Sequence, residues 1–250
     1  MRFPKMIEIE DVKVVEIDSG RVEVSARYLE HILYFRLPQS RLCHQAIGDA
    51  LVLAVLAPAM RAGLTIRLPE PYQVSNRLVA QLDAIQDIWR SWNQSLKKVS
   101  LEAGRYEPKP AADGIALFHA GGVDSSYSLI NHRDDVQILI SAFGYDFNLS
   151  DEDMDRIQRK NRRFAEQLGK EFIQFETNFA RFVFELGVSR TFVFGAGLAC
   201  MGVLTGLKRC YIASSHSAAN LKPTGSHPVL DHHFSNGITE FIHDDIVNRL

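Results

Sequence analysis

At 250 residues the chain is long enough for one large domain or two ordinary ones with ample core, and its 46% hydrophobic and 23% charged residues are the usual balance of a soluble globular protein. A formal charge of -2 supplies no global field to attract nucleic acid or an anionic membrane, so neither is expected as a partner. Cys43, Cys200 and Cys210 form no CxxC pair and no disulfide framework, which points to a reducing cytoplasm, and the N-terminal charges are too closely spaced for a signal peptide.

The first third alternates like a twisted sheet. Residues 12–17 and 21–27 flank "DSG", a hairpin signal, and "HILYFRLP" gives a third strand ended by Pro38. An apolar helix is expected over 46–62 and a short strand over 64–68. Residues 75–96 form an amphipathic helix capped by Ser75, with Leu78, Leu82, Ile85, Trp89, Trp92 and Leu96 at three- and four-residue steps. That aromatic stripe reads as core. The unit, residues 1–108, holds no convergent reactive groups and is expected to serve structure, substrate positioning or homodimerisation.

Residues 101–114, "LEAGRYEPKPAADG", read as a linker, and the period changes after it. Strands are expected at 115–118, 136–143, 171–176 and 210–213, separated by helices at 124–132, 151–168 and through 207. Alternating strands and helices imply an α/β, doubly wound parallel sheet over 109–250, with ligands at the carboxyl ends of its strands. The uncharged "TFVFGAGLACMGVLTGL" is near the short limit for a membrane span and is expected to be a buried core helix. The basic "RIQRKNRR" reads as a solvated helix face.

The chemistry gathers after the first of these strands, in "IALFHAGGVDSS". Gly121 and Gly122 let the backbone approach a ligand, and Asp124 or a neighbouring serine can cap the helix. Amides of Ala120 through Ser126, Val123 included, then join the positive end of the helix dipole in an anion cradle, with Ser125 and Ser126 as hydroxyl donors. The loop is neither a Walker A nor a GxGxxG motif. An ordinary tight βα turn is the plain alternative.

"FHAGGVDSSYSL" resembles the signature of the PP-loop ATP pyrophosphatases, the adenine nucleotide alpha-hydrolase superfamily, which reads Ser-Gly-Gly-x-Asp-Ser between the first strand and its helix. The resemblance covers residues 114 to about 241. It implies a five-stranded parallel sheet, cleavage of ATP between the α- and β-phosphates, and adenylation of a small-molecule carboxylate, carbonyl or amide. A nitrogen or sulfur nucleophile then displaces AMP. Gly121, Gly122, Asp124, Ser125 and Ser126 are expected to hold the pyrophosphate with Mg2+ bridging, Asp124 serving the metal through the phosphates and, with Ser125, the catalysis. Ala120 stands where the family has serine, so binding is expected to persist while catalysis weakens; His119 beside it can supply a donor.

Ends of the later strands complete the expected site. Ser141 and Phe143 suit adenine and ribose, and Gly195 and Gly197 allow either close ligand approach or tight helix packing. After the strand at 210–213, Ser214 and Ser215 are expected on the nucleotide, His216 and Lys222 in catalysis, and Asn220, Ser226, His227 and Asp231 on the substrate. "GSHPVLDHHF" resembles a stretch of proteins similar to 7-cyano-7-deazaguanine synthase, whose relatives often carry a C-terminal zinc-binding cysteine cluster; its absence makes a fragment or reduced paralogue the expectation. Five of nine histidines follow residue 215, and "DHH" resembles a phosphoesterase motif, so a metal-dependent phosphoesterase with a zinc site among these histidines stands as one alternative. Ala120 and the short C-terminus motivate another, a nucleotide-binding module without turnover.

Overall fold

The structure, a computed structural model, describes residues 6–109, 112–144, 150–216 and 220–244. Strands β1 (Met6–Asp18), β2 (Arg21–Tyr28) and β3 (His31–Pro38) form the antiparallel meander, with Gly20 supplying the positive φ of the first turn. Helix α1 (Ile47–Ala62) is apolar around its whole circumference because it is core: every residue from Ile47 to Met60 is buried. β4 (Thr65–Arg67) and β5 (Gln73–Ser75) lead into α2 (Asn76–Trp92), where the Ser75 hydroxyl accepts from Arg77 N at 3.1 Å as the cap. Leu78, Leu82, Ile85 and Trp89 face inward, as their spacing predicts.

The stretch 101–114 is not a linker. It supplies β6 (Leu101–Glu102), β7 (Gly104–Tyr106) and the start of β8 (Ala112–Phe118). Then come α3 (Val123–Asn131), β9 (Ile138–Phe143), α4 (Asp151–Gln167), β10 (Glu171–Thr177), α5 (Phe179–Glu185), α6 (Phe194–Thr205), β11 (Leu207–Ile212) and β12 (Glu240–His243). The last strand lies beyond the expected series. It completes the sheet as the partner of β11, a pairing that a four-residue strand does not announce from sequence.

Among the described residues one sheet of ten strands runs β12-β11-β8-β9-β10-β3-β2-β1-β4-β6. The first five in that order are mutually parallel, and β10 meets β3 antiparallel, so the sheet does not divide at residues 108 and 109. Pairing of β10 with β3 is short, Glu176 with Arg36 and Thr177 with Phe35, and side chains extend it. Asn178 accepts from Tyr34 N and donates to Ile32 O, while Thr177 Oγ1 donates to Tyr34 O. Helices cover both faces of the parallel part. Ala116 and Phe118 of β8 join the core with α1 and α6, whereas Leu117 packs with Leu129 of α3 and Ala165 of α4.

α6 is the uncharged segment, and Gly195 through Thr205 are all buried against core. α6 has 12 residues, whereas the helical stretch His44–Ala62 is long and apolar enough to cross a membrane, but 83% of its apolar 18-residue window is buried inside the protein. Both are apolar because protein surrounds them. At the far side Asp49 of α1, fully buried, accepts from Ser75 N at 2.7 Å, Asn236 Nδ2 at 2.7 Å and the Tyr106 hydroxyl at 2.5 Å. This network stitches α1, β5 and β7 to the segment before β12.

Candidate functional site

The parallel strands, taken in chain order, place β8 at the centre; β9 and β10 extend one way and β11 and β12 the other. Strand order therefore reverses between β8 and β11, and clefts of open α/β sheets form at the carboxyl ends of such a pair. A cleft of about 550 Å³ lies there. Its floor is Ala120, Gly122, Asp124 and Ser125; Ser141 and Phe143 line it from β9, Ser215 from the end of β11 and Ser226 from the loop beyond.

The loop between β8 and α3 takes its shape from glycine. Gly121 has φ +81°, and a Cβ there would meet Asn161 Oδ1 of α4 at 2.8 Å. Gly122 is the N-cap residue, in extended backbone, and a Cβ on it would project into open space. The cap therefore differs from expectation: neither Asp124 nor a serine occupies it, and Asp124 sits in the first turn. The first bond of this turn runs from Ser126 N to Gly122 O at 3.1 Å, so the amides ahead of it have no acceptor within the helix. Ser125 and Ser126 hydroxyls also donate to Gly122 O, at 3.2 and 2.8 Å. To donate to a ligand they must turn away from that carbonyl. Val123 is 85% exposed outside the cleft.

Ser141 is buried, its hydroxyl donating to His119 O and accepting from Asn161 Nδ2 at 3.2 Å. It joins β8, β9 and α4 and is not a free group for ribose. Phe143 gives the cleft an apolar wall, extended by Ile140, Phe194 and Leu198. Gly144 follows with φ +92°, so close to β10 that a Cβ would stand 1.6 Å from Thr177 O.

Past β11 the expected cluster divides. Ser215 and Ser226 line the cleft, whereas buried Ser214 closes a local turn, donating to His216 O at 2.8 Å. His216 Nδ1 lies 3.0 Å from Ser215 Oγ. Ser217 and residues 145–149, which include the end of "ISAFGYDF", lie outside the described residues. Asn220 and Lys222 are exposed and off the cleft wall. Among the described residues the cation on that wall is Arg190, from the short 3-10 turn Arg190–Phe192 before α6. Sequence reasoning missed it because an arginine between two helices carries no motif; only the fold brings it to the strand ends.

Asp231 departs furthest from its expected substrate role. It is fully buried, accepting from Ser226 Oγ at 2.9 Å, His227 N at 3.1 Å and His243 Nδ1 at 2.7 Å. It orients Ser226 and touches no open space. His227 packs on Trp92, ring centroids 5.2 Å apart, and burial, followed by the neighbouring His243, holds it below the usual histidine range. Of the "DHH" side chains Asp231 turns inward, away from the two histidines, whose rings lie against each other, centroids 4.0 Å apart, with His233 Nδ1 2.6 Å from Gln81 Oε1. Among the described residues no three histidine, cysteine, aspartate or glutamate side chains converge as a metal site.

Gly195 resolves in favour of packing. A Cβ there would meet Gly225 O at 2.2 Å and Asp231 Oδ1 at 2.9 Å, and Gly195 N donates to Gly225 O at 2.7 Å. The pair clamps the Ser226 loop onto the start of α6. Gly197, also expected at the site, is buried within that helix. No family model, curated protein or solved structure matches the chain.

Proposed function

We propose that the cleft binds ATP and that the chain is an AMP-forming adenylating enzyme of the PP-loop type acting on a small-molecule carboxylate, carbonyl or amide. One observation carries the reading: the glycine loop of the motif forms the floor of a cleft at the reversal point of a 3-2-1-4-5 parallel sheet. Amides at the start of α3 and the helix dipole would receive the pyrophosphate portion. Arg190 takes the role that Lys222 was expected to fill, adding positive charge where pyrophosphate leaves. The apolar wall of Ile140, Phe143 and Phe194 suits a purine face and excludes water.

Magnesium fits one group here. Asp124 offers a carboxylate on the cleft floor, and Mg2+ is commonly held by one or two carboxylates together with substrate phosphates. When bound, the ion would neutralise charge on those phosphates. The chain's own residues align the α-phosphorus with the acceptor oxygen and steady the departing pyrophosphate; a nitrogen or sulfur nucleophile then displaces AMP to give the amide or thio product. Free cysteines, two of them buried, suit a cytoplasmic setting.

Ala120 on the cleft wall supports a second reading, a nucleotide-binding module without turnover, because the place of a motif hydroxyl faces ligand space with only a methyl. Pyrophosphate release from ATP, measured across carboxylate, carbonyl and amide acceptors, separates the two. The enzyme is expected to give AMP and pyrophosphate in equal amounts with its acceptor. Tight ATP binding with no pyrophosphate from any acceptor assigns the binding module instead.

A further inference from the structure

β8 and β11 are neighbours across the reversal point, and their ends stand level. Leu117 of β8 pairs with Tyr211 of β11, and four residues beyond that pair the chain reaches Gly121 on one side and Ser215 on the other. Neighbouring strands run about 5 Å apart, so Ser215 emerges beside the glycine loop. It is exposed, and it lines the same cleft as Ala120, Gly122, Asp124 and Arg190.

The Ser215 hydroxyl has a base behind it. Ser215 Oγ lies 3.0 Å from His216 Nδ1, a contact open to solvent, while His216 itself is half-buried and off the cleft wall. With the ring proton on Nε2, the serine donates and Nδ1 accepts. Buried Ser214 fixes the base: its hydroxyl donates to His216 O at 2.8 Å and accepts from His216 N at 3.3 Å. Ser214 thus spends its hydroxyl on shaping the turn, whereas Ser215 spends its own on an imidazole. A hydroxyl within hydrogen-bond reach of a ring nitrogen, with a third group orienting the base, is the arrangement that activates a serine as nucleophile. Nearby His227, which burial holds below the usual histidine range, stays neutral and does not oppose a positive charge on His216.

We propose that Ser215 is a nucleophile of the cleft that takes the adenylyl group of bound ATP, with His216 as its general base. Ser215 Oγ attacks the α-phosphorus and forms the new O–P bond. The bond from the α-phosphorus to the oxygen bridging it to the β-phosphate breaks, pyrophosphate leaves with that electron pair, and the serine proton passes to His216 Nδ1. The product is a phosphodiester on the chain itself, formed once per molecule and without any other acceptor. The inference rests on the nucleotide reading above and goes beyond it, because this acceptor belongs to the protein.

The test incubates the purified chain with Mg2+ and ATP radiolabelled at the α- or the γ-phosphate, quenches in acid, and runs calorimetric titration with ATP and Mg2+ alongside. Wild type is expected to retain α-label, mapped to the peptide that holds Ser215, with pyrophosphate released in equal amount and no γ-label kept. Ser215→Ala is expected to retain none. His216→Phe, which keeps a ring without its nitrogens, is expected to label roughly 100-fold or more slowly. Wild type that binds ATP but keeps no label, or keeps it at a residue other than Ser215, overturns this inference and leaves the nucleotide site standing. Retained γ-label overturns attack at the α-phosphorus, and labelling of His216→Phe at the wild-type rate overturns the role of the base. Wild type that binds no ATP overturns the nucleotide reading and this inference with it. Peptide mapping of the wild type decides even where a variant fails to fold.

Discussion

Asp49 shows how much one buried side chain can reveal about stability. Its carboxyl is fully buried and receives three hydrogen bonds, yet burial outweighs them and raises its pKa to about 6. An unfolded aspartate titrates near 3.9, so between about pH 4 and pH 6 the native state holds the proton and the unfolded state has lost it. Stability from this group is therefore complete below about pH 4 and declines as pH rises through 6. Two units of difference correspond to roughly 3 kcal/mol. Urea titrations at stepped pH are expected to show wild type falling by that order relative to Asp49→Asn across the window, whereas a flat difference would contradict the account. The sequence did not disclose Asp49, because its partners Ser75, Tyr106 and Asn236 are scattered along 187 residues of separation at most. Ser141 and Asp231 went the other way: polar residues at strand ends looked like ligand contacts, and folding turned both inward to bind the protein's own groups.

At the level of elements, periodic pattern was legible and short edges were not. α2 appeared from its three- and four-residue apolar steps and its Ser75 cap, and α1 from an unbroken apolar run. β12 was missed, and β6 and β7 were read as linker, because strands of two to four residues are too short to show alternation and owe their form to neighbours. Where β9 ends, glycine is required twice over: Gly144 has φ +92°, and its Cα lies against Thr177 O of β10. Thr177 also bonds Tyr34 of β3, so one contact spans three strands beside the cleft. Gly144→Ala must displace that carbonyl and strain its own backbone. A loss of roughly 2–4 kcal/mol is expected, seen as a lower calorimetric melting temperature by about 5–15 °C. An unchanged melting temperature would mean that the strand ends are not packed as described.

Across the whole molecule, the sequence disclosed a parallel α/β half but not its fusion with the preceding meander. Nothing local marks Thr177 and Asn178 as the residues that join β10 to β3; the join is tertiary. Site position follows from that topology. Strand order reverses between β8 and β11, which opens the sheet's carboxyl edge just above the glycine loop, and α6 with Arg190 closes one side. The loop could be recognised from its residues alone, whereas Arg190 needed the fold. The most direct test of the central claim is calorimetric titration of wild type and Asp124→Ala with ATP and Mg2+. The account predicts saturable binding by wild type and none measurable for the folded variant. Equal affinity in the two proteins would place the nucleotide away from this loop and contradict it.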